Sequence, residues 1–180
     1  MGAGAGKAGV AACFERRPDA LHASLAGVDD SLARRKPVSG GWSILECVEH
    51  VAVAERFLLS RLTGASLSEQ PPENQAREKW LAARAADRSR PIESPEEGRP
   101  AGRFERLSEA LGDFERTRTE TVRFVEEFAD ELRFRLTDHP LIPGPVNRME
   151  ILLLVAAHPA RHAKQIAQTR AGLAAAEARG

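Results

Sequence analysis

His158 and His162 stand four residues apart in the stretch Arg148 to Arg170, and that spacing sets two imidazoles on one face of a helix. At about 100° per residue the same face carries Ile151, Val155, Ile166 and Thr169, so both rings fall in the stripe that must be buried. A polar ring inside a core needs a partner, and two rings looking the same way can share one. A metal ion meets that need if the chain supplies a further ligand. Of the five histidines, His50 is the best remaining candidate, near Cys47, Ala54 and Phe57 on another apolar stripe. Three imidazoles around a divalent ion make a zinc-like shell with positions left for water or substrate. The plainer reading of His50, His158 and His162 is three core or rim histidines bonded to nearby polar groups.

The elements that must position these rings are helices. The chain has almost no period-2 alternation and no Val/Ile/Thr-rich run, which predicts an all-α fold. Leu21, Leu25, Val28 and Leu32 predict a first helix from about Ala11 through the twenties, with Pro18 as a kink or its true first turn. Ser43-Ile44-Leu45-Glu46 reads as a capping box that opens a second helix to about Leu62, with Trp42 and Cys47 as its staple and Gly64 as terminator. From Gly64 to Gly102 the chain is rich in proline, with one short helix around Glu73 to Arg88 that carries Trp80. An excursion of that length often forms a lid or an interface. Phe104, Leu107, Leu111, Phe114, Val125 and Phe128 give the core face of a third helix over about Arg103 to Glu131. The connector Asp138 to Pro145 is not helical, and Asn147 with Glu150 caps the fourth helix, stapled by Val146 and Ile151. The pattern predicts a four-helix bundle with a long irregular insert between helices two and three. It divides the chain into a leader over 1–9, the bundle over 10–172 and a tail over 173–180.

Convergence of the three rings sets a geometric condition. His50 lies about 10 Å into the second helix, and His162 a similar distance from the far end of the fourth. An antiparallel pairing of those helices brings the rings to one height, whereas a parallel pairing separates them by roughly 6–12 Å.

The segment Gly41-Trp42-Ser43-Ile44-Leu45-Glu46-Cys47-Val48-Glu49-His50 resembles the first signature of the DinB/YfiT-like metalloenzyme family. His139-Pro140-Leu141-Ile142-Pro143-Gly144-Pro145, with His158-Pro159-Ala160-Arg161-His162 and Gln165-Ile166, resembles the second. The resemblance covers roughly Leu21 to Gln168. It implies an up-down-down-up four-helix bundle, often dimeric, with a divalent metal, usually zinc or nickel, on His50, His158 and His162. It also implies chemistry of the kind found in thiol-dependent transferases and isomerases, with a low-molecular-weight thiol as cofactor. Pro159 departs from the family pattern. It removes an amide bond to the carbonyl of Val155 and should bend the helix between the two ligands.

Other residues carry less. Glu46 is explained by its cap rather than by general-base catalysis. Cys47, three residues before His50, is read as a small buried residue rather than a fourth ligand. His139 is read as structural or as pocket rim, and His22 as partly exposed and inert. Trp42 and Trp80 are read as packing residues, and Arg161 as pointing to the flank of the site, toward a surface or dimer contact. A diiron bundle needs Glu-x-x-His pairs, but Cys47, Val155 and Pro159 stand three residues before the histidines.

Composition bounds the partners. At 180 residues the chain is long enough for one sizeable core. Lys plus Arg equals Asp plus Glu at 26 each, and tyrosine is absent, so neither a nucleic-acid surface nor an anionic membrane surface is indicated. The longest apolar run, Ile151 to Ala157, is far too short to span a bilayer. Two cysteines make no disulfide framework, and with no export signal the cytoplasm is the expected location. With the family resemblance, which implies the dimer and the thiol, the expectation is a metal-dependent enzyme, acting as a homodimer, whose three-histidine site activates a thiol or water for transfer to a small electrophilic substrate. The competing expectation is a non-catalytic metal-binding or scaffold module of the same fold.

Overall fold

The computed structural model describes residues 18–38, 40–68, 75–90, 92–128 and 132–179. The expected leader, the expected helix start at Ala11 and the last residues expected of the third helix lie outside them. In chain order the elements are α1 (Pro18–Ser24), α2 (Asp30–Arg34), α3 (Ile44–Thr63), β1 (Ser66–Leu67), α4 (Gln75–Ala86), a 3-10 turn (Glu96–Gly98), α5 (Leu107–Phe128), β2 (Arg135–His139), β3 (Ile142–Asn147) and α6 (Arg148–Glu177).

Both long helices flanking the site begin at capping boxes. Ser43 accepts from the Glu46 amide while Glu46 accepts from the Ser43 amide, and Asn147 and Glu150 repeat the exchange at α6. Val146 and Ile151 are both fully buried in one cluster, as a staple requires. Gly64 ends α3 in ordinary right-handed geometry, donating to Ser60. The last helix is longer than expected. It runs through Glu177 with Leu173 buried, so residues 173–177 are helical.

Contacts along the helices fix the topology. His22 on α1 meets Glu115 on α5, whereas the Leu107 amide donates to Asp30 beyond the end of α1, so α1 and α5 run antiparallel. Cys47 shares one buried cluster with Phe114, while Leu62 shares the other with Phe124, so α3 and α5 are parallel. Arg148 at the start of α6 donates to the Leu62 carbonyl at the end of α3, while His158 further along meets His50 near the start. That makes α6 antiparallel to α3, and α1, α3, α5 and α6 form an up-down-down-up four-helix bundle. The condition for convergence of the three rings is met.

The all-α expectation holds for the bundle, but a small sheet accompanies it. β1, β2 and β3 form a three-stranded antiparallel sheet, with Ser66 opposite Leu136 and Leu136 opposite Asn147. Its strands were invisible to a period-2 search because β1 has two residues and β3 reads IPGPVN. Pro143 and Pro145 cannot donate to a ladder, and β3 is an edge strand, where such residues are tolerated.

The apolar core comes in two parts with a polar waist between them. On α3 one cluster ends at Ala52 and the other starts at Leu58; on α6 the gap lies between Ala156 and Ile166. Into it project Glu55, Arg118 and the paired histidines of α6. Arg118 grips Glu55 with two bonds, 2.6 and 2.7 Å, and also donates to the carbonyl of Val155 at 3.3 Å. That carbonyl is the one whose helical donor is missing at Pro159, so the lesion expected from proline is repaired from α5.

The insert packs against the bundle rather than away from it. Arg133 holds Glu78 of α4 through two bonds, Arg77 pairs with Glu150 at 3.3 Å, and Lys164 of α6 donates to the Ala86 carbonyl. Among the described residues no helix is long and apolar enough to cross a membrane.

Arg118→Met leaves Glu55 buried without its cation and frees the Val155 carbonyl. We expect a loss of about 3–5 kcal/mol in chemical denaturation. The double variant Glu55→Leu, Arg118→Met is expected to regain most of it, because no charge is then buried alone.

Candidate metal centre

His50 comes from the second turn of α3, and His158 and His162 come from successive turns of α6 beside the waist. The His50 and His158 Nε2 atoms are 3.2 Å apart, and the His158 and His162 Nε2 atoms 3.0 Å. One nitrogen from each of the three rings lies within 4.8 Å of the others. His50 and His162 are buried and His158 half-buried.

The protons of this cluster do not add up without a cation. The Nδ1 of His50 meets the Gly98 carbonyl at 2.6 Å, and a carbonyl only accepts, so Nδ1 carries the hydrogen. In the neutral ring Nε2 is then a bare lone pair. His158 Nε2 faces this nitrogen and that of His162, and between neutral rings it can make a hydrogen bond to only one of them, so one of the two contacts is left without a proton to share. An ion resolves this. Nitrogens held at about 2.0–2.1 Å from one ion stand roughly 2.8–3.4 Å apart for right-angled to tetrahedral arrangements, a range that contains the 3.2 and 3.0 Å spacings.

The environment keeps the rings neutral, as ligation requires. Burial lowers the pKa of His50, against the pull of the Gly98 carbonyl, and Arg161 lowers it further. Burial and then the His50 charge hold His158 well below the usual imidazole value. Burial and then His158 do the same to His162.

Positioning comes from parts of the chain far from the motif. Glu49, buried one residue before His50, accepts from the amides of Ala101, Gly102 and Arg103 and from the Arg103 guanidinium. That anchors the loop whose Gly98 carbonyl orients His50. Trp42 covers the other side, with its ring centroid 4.7 Å from His50 and 6.2 Å from His162, nearly parallel to the latter.

A cavity of about 340 Å³ opens against the three rings, a size suited to a small ligand. Its walls come from α3 (Phe57, Leu58), from the insert (Trp80, Leu81) and from the β2–β3 hairpin (His139, Ile142). The insert is thus a wall of the site.

The remaining sequence candidates separate clearly. Cys47 is buried in the core cluster with its thiol pushed up to about 12 by burial, and it is not part of the histidine group. Glu46 is engaged by its cap and by Lys36. His139 sits on the cavity rim, accepting from the Leu141 amide, with burial and then Arg61 lowering its pKa to about 4. His22 pairs with Glu115 away from the site.

Two expectations are corrected. Trp42 is a face of the site and not only packing. Arg161 is 5% exposed and lines the cavity, because α4 covers the flank that a bare helical wheel leaves to solvent. Gly98 and Glu49 had no signal: an acceptor 48 positions from its histidine belongs to no local pattern.

The profile of the DinB superfamily matches residues 14–166. Among solved structures, YfiT from Bacillus subtilis, described as a probable metal-dependent hydrolase with an unusual four-helix bundle topology, superposes with a TM-score of 0.58. The match has 17% identity and covers 93% of this chain and 87% of YfiT, a likeness of fold. No curated protein matches the chain.

A Cβ at Gly98 would meet Ser94 Oγ at 3.0 Å and His50 Cε1 at 3.6 Å. The methyls of Gly98→Val must therefore push the loop off the ring. We expect unchanged helical circular dichroism but zinc affinity lowered about 10–100-fold in chelator competition.

Proposed function

The chain belongs to the DinB superfamily, and from that membership we propose a metal-dependent enzyme in which His50, His158 and His162 hold one divalent ion, zinc or nickel. An ion there lowers the pKa of a water or thiol that binds it and so supplies a nucleophile near neutral pH. The observation that carries this reading is the meeting of three Nε2 atoms, one of them a lone pair fixed by the Gly98 carbonyl.

The chain's own residues supply orientation and a dry setting. Gly98 and Trp42 hold His50 in one tautomer and one plane. Phe57, Leu58, Leu81 and Ile142 line the space in front of the rings with apolar surface, which excludes bulk water from a reacting group. A small electrophile in that space is attacked by water or by a low-molecular-weight thiol. YfiT's description as a probable hydrolase points to water, and the resemblance noted in the sequence points to a thiol. A non-catalytic scaffold needs no cavity at its ion, so the space against the rings favours the enzyme.

His162→Ala is expected to abolish bound metal on elemental analysis while the helical signal is kept. Unchanged metal content would refute the ligand role. The metal-loaded protein, screened with ester substrates and with thiols plus electrophiles, is expected to turn over one of these classes, and His162→Ala neither.

A further inference from the structure

Three arginines line the cavity, Arg84, Arg88 and Arg161, and none of them forms an ion pair with a described residue. Arg161, directly before His162, donates from Nη2 to the Arg90 carbonyl at 2.9 Å, but its buried Nη1 has no partner there. The buried Nε of Arg88 is in the same condition. Arg84 is the third cation, with its Cζ 5.5 Å from the Trp80 ring centroid, and all three arginines line the cavity. The charged groups acting on Arg161 are Arg88 and Arg84, which repel it, and Asp87, which attracts it. Asp87 is already engaged by the Ser89 amide and hydroxyl at 2.8 and 2.7 Å. Of the carboxylates on the rim, Glu93 is bonded to Arg99 at 2.6 Å and Glu97 is exposed.

Buried N–H groups on a cation are costly to leave without an acceptor, and two guanidinium groups with the same deficit face one space. What both lack is an oxyanion. We propose that Arg161, Arg88 and Arg84 form an oxyanion subsite, so that the cavity takes a substrate with a carboxylate or similar small oxyanion on an apolar body. The anion sits on the guanidinium groups, which bind such groups through paired N–H donors. The body lies along Phe57, Leu81 and Ile142, and the rest of the molecule faces the imidazoles. The assignment rests on the cavity being the substrate site, and it names the class of molecule that enters.

The protein's two tryptophans, Trp42 and Trp80, both line the cavity, so intrinsic fluorescence reports its occupancy. The metal-loaded protein is titrated with 4-phenylbutyrate, with its neutral amide, and with phenyl phosphate. An anion is expected to bind at least about tenfold more tightly than the amide. The tighter of the two anions identifies carboxylate or phosphate ester as the natural group. Arg161→Gln and Arg88→Gln are expected to erase the preference by weakening the anion far more than the amide, and the second, at a half-exposed position, guards against misfolding of the first. His162→Ala is expected to keep the preference while losing metal, which separates this subsite from the ion. Equal affinity for acid and amide overturns the proposal, as does no binding of either anion. So does a preference that survives both arginine variants or disappears with His162→Ala.

Discussion

The guanidinium of Arg118 is where three helices of the bundle meet. It takes both oxygens of Glu55 from α3 and the Val155 carbonyl from α6, while its own backbone belongs to α5. Any change in the height of one helix relative to the others breaks at least one of these bonds in a buried setting, where an unpaired charge costs several kcal/mol. The register of α3 against α6 is therefore fixed at the waist, and that register brings His50 level with His158 and His162. Pro159 makes the demand sharper. By removing an amide from the middle of α6 it leaves a carbonyl that only a neighbouring helix can satisfy, and Arg118 is that neighbour.

A second chain of contacts fixes orientation rather than height. Glu49 gathers three backbone amides and a guanidinium from the loop at 101–103, which holds the 3-10 turn in place, and the turn presents the Gly98 carbonyl to His50. Adjacent residues of α3 thus do complementary work, one holding the loop and the other being aimed by it. The irregular segment between α3 and α5 is an integral wall of the cavity for the same reason: α4 docks on α6 through Arg77, Lys164 and the carbonyls it offers, and closes a flank that would otherwise be solvent.

This arrangement joins neutral rings, apolar walls and arginine cations in one small space. Neutral imidazoles favour a cation among them, and the guanidinium groups favour an anion a short distance away. Such a division suits a molecule with one anionic end and one reactive centre, positioned between the two. Membership of the DinB superfamily accounts for the bundle and its topology, and the arginines reach the cavity from the insert and the last helix.

Local chemistry was written in the sequence because its partners are close in the chain. The Ser43–Glu46 and Asn147–Glu150 caps, the staple at Val146 and Ile151, and the stripe that buries His162 depend on residues three to five apart. The four-helix class and the two histidine motifs followed from the same short periods. The sheet escaped because proline-rich and two-residue strands have no alternation to detect. A helical wheel turns Arg161 to the flank of the site, toward a surface or dimer contact, because it knows nothing of the helix that packs there. Tertiary structure alone decided the Gly98 carbonyl at His50, the Arg118 bond that mends Pro159, and the arginine-lined side of the cavity. Each joins segments separated by tens of residues, and such pairings are set by how helices dock rather than by the order in which residues are spelled.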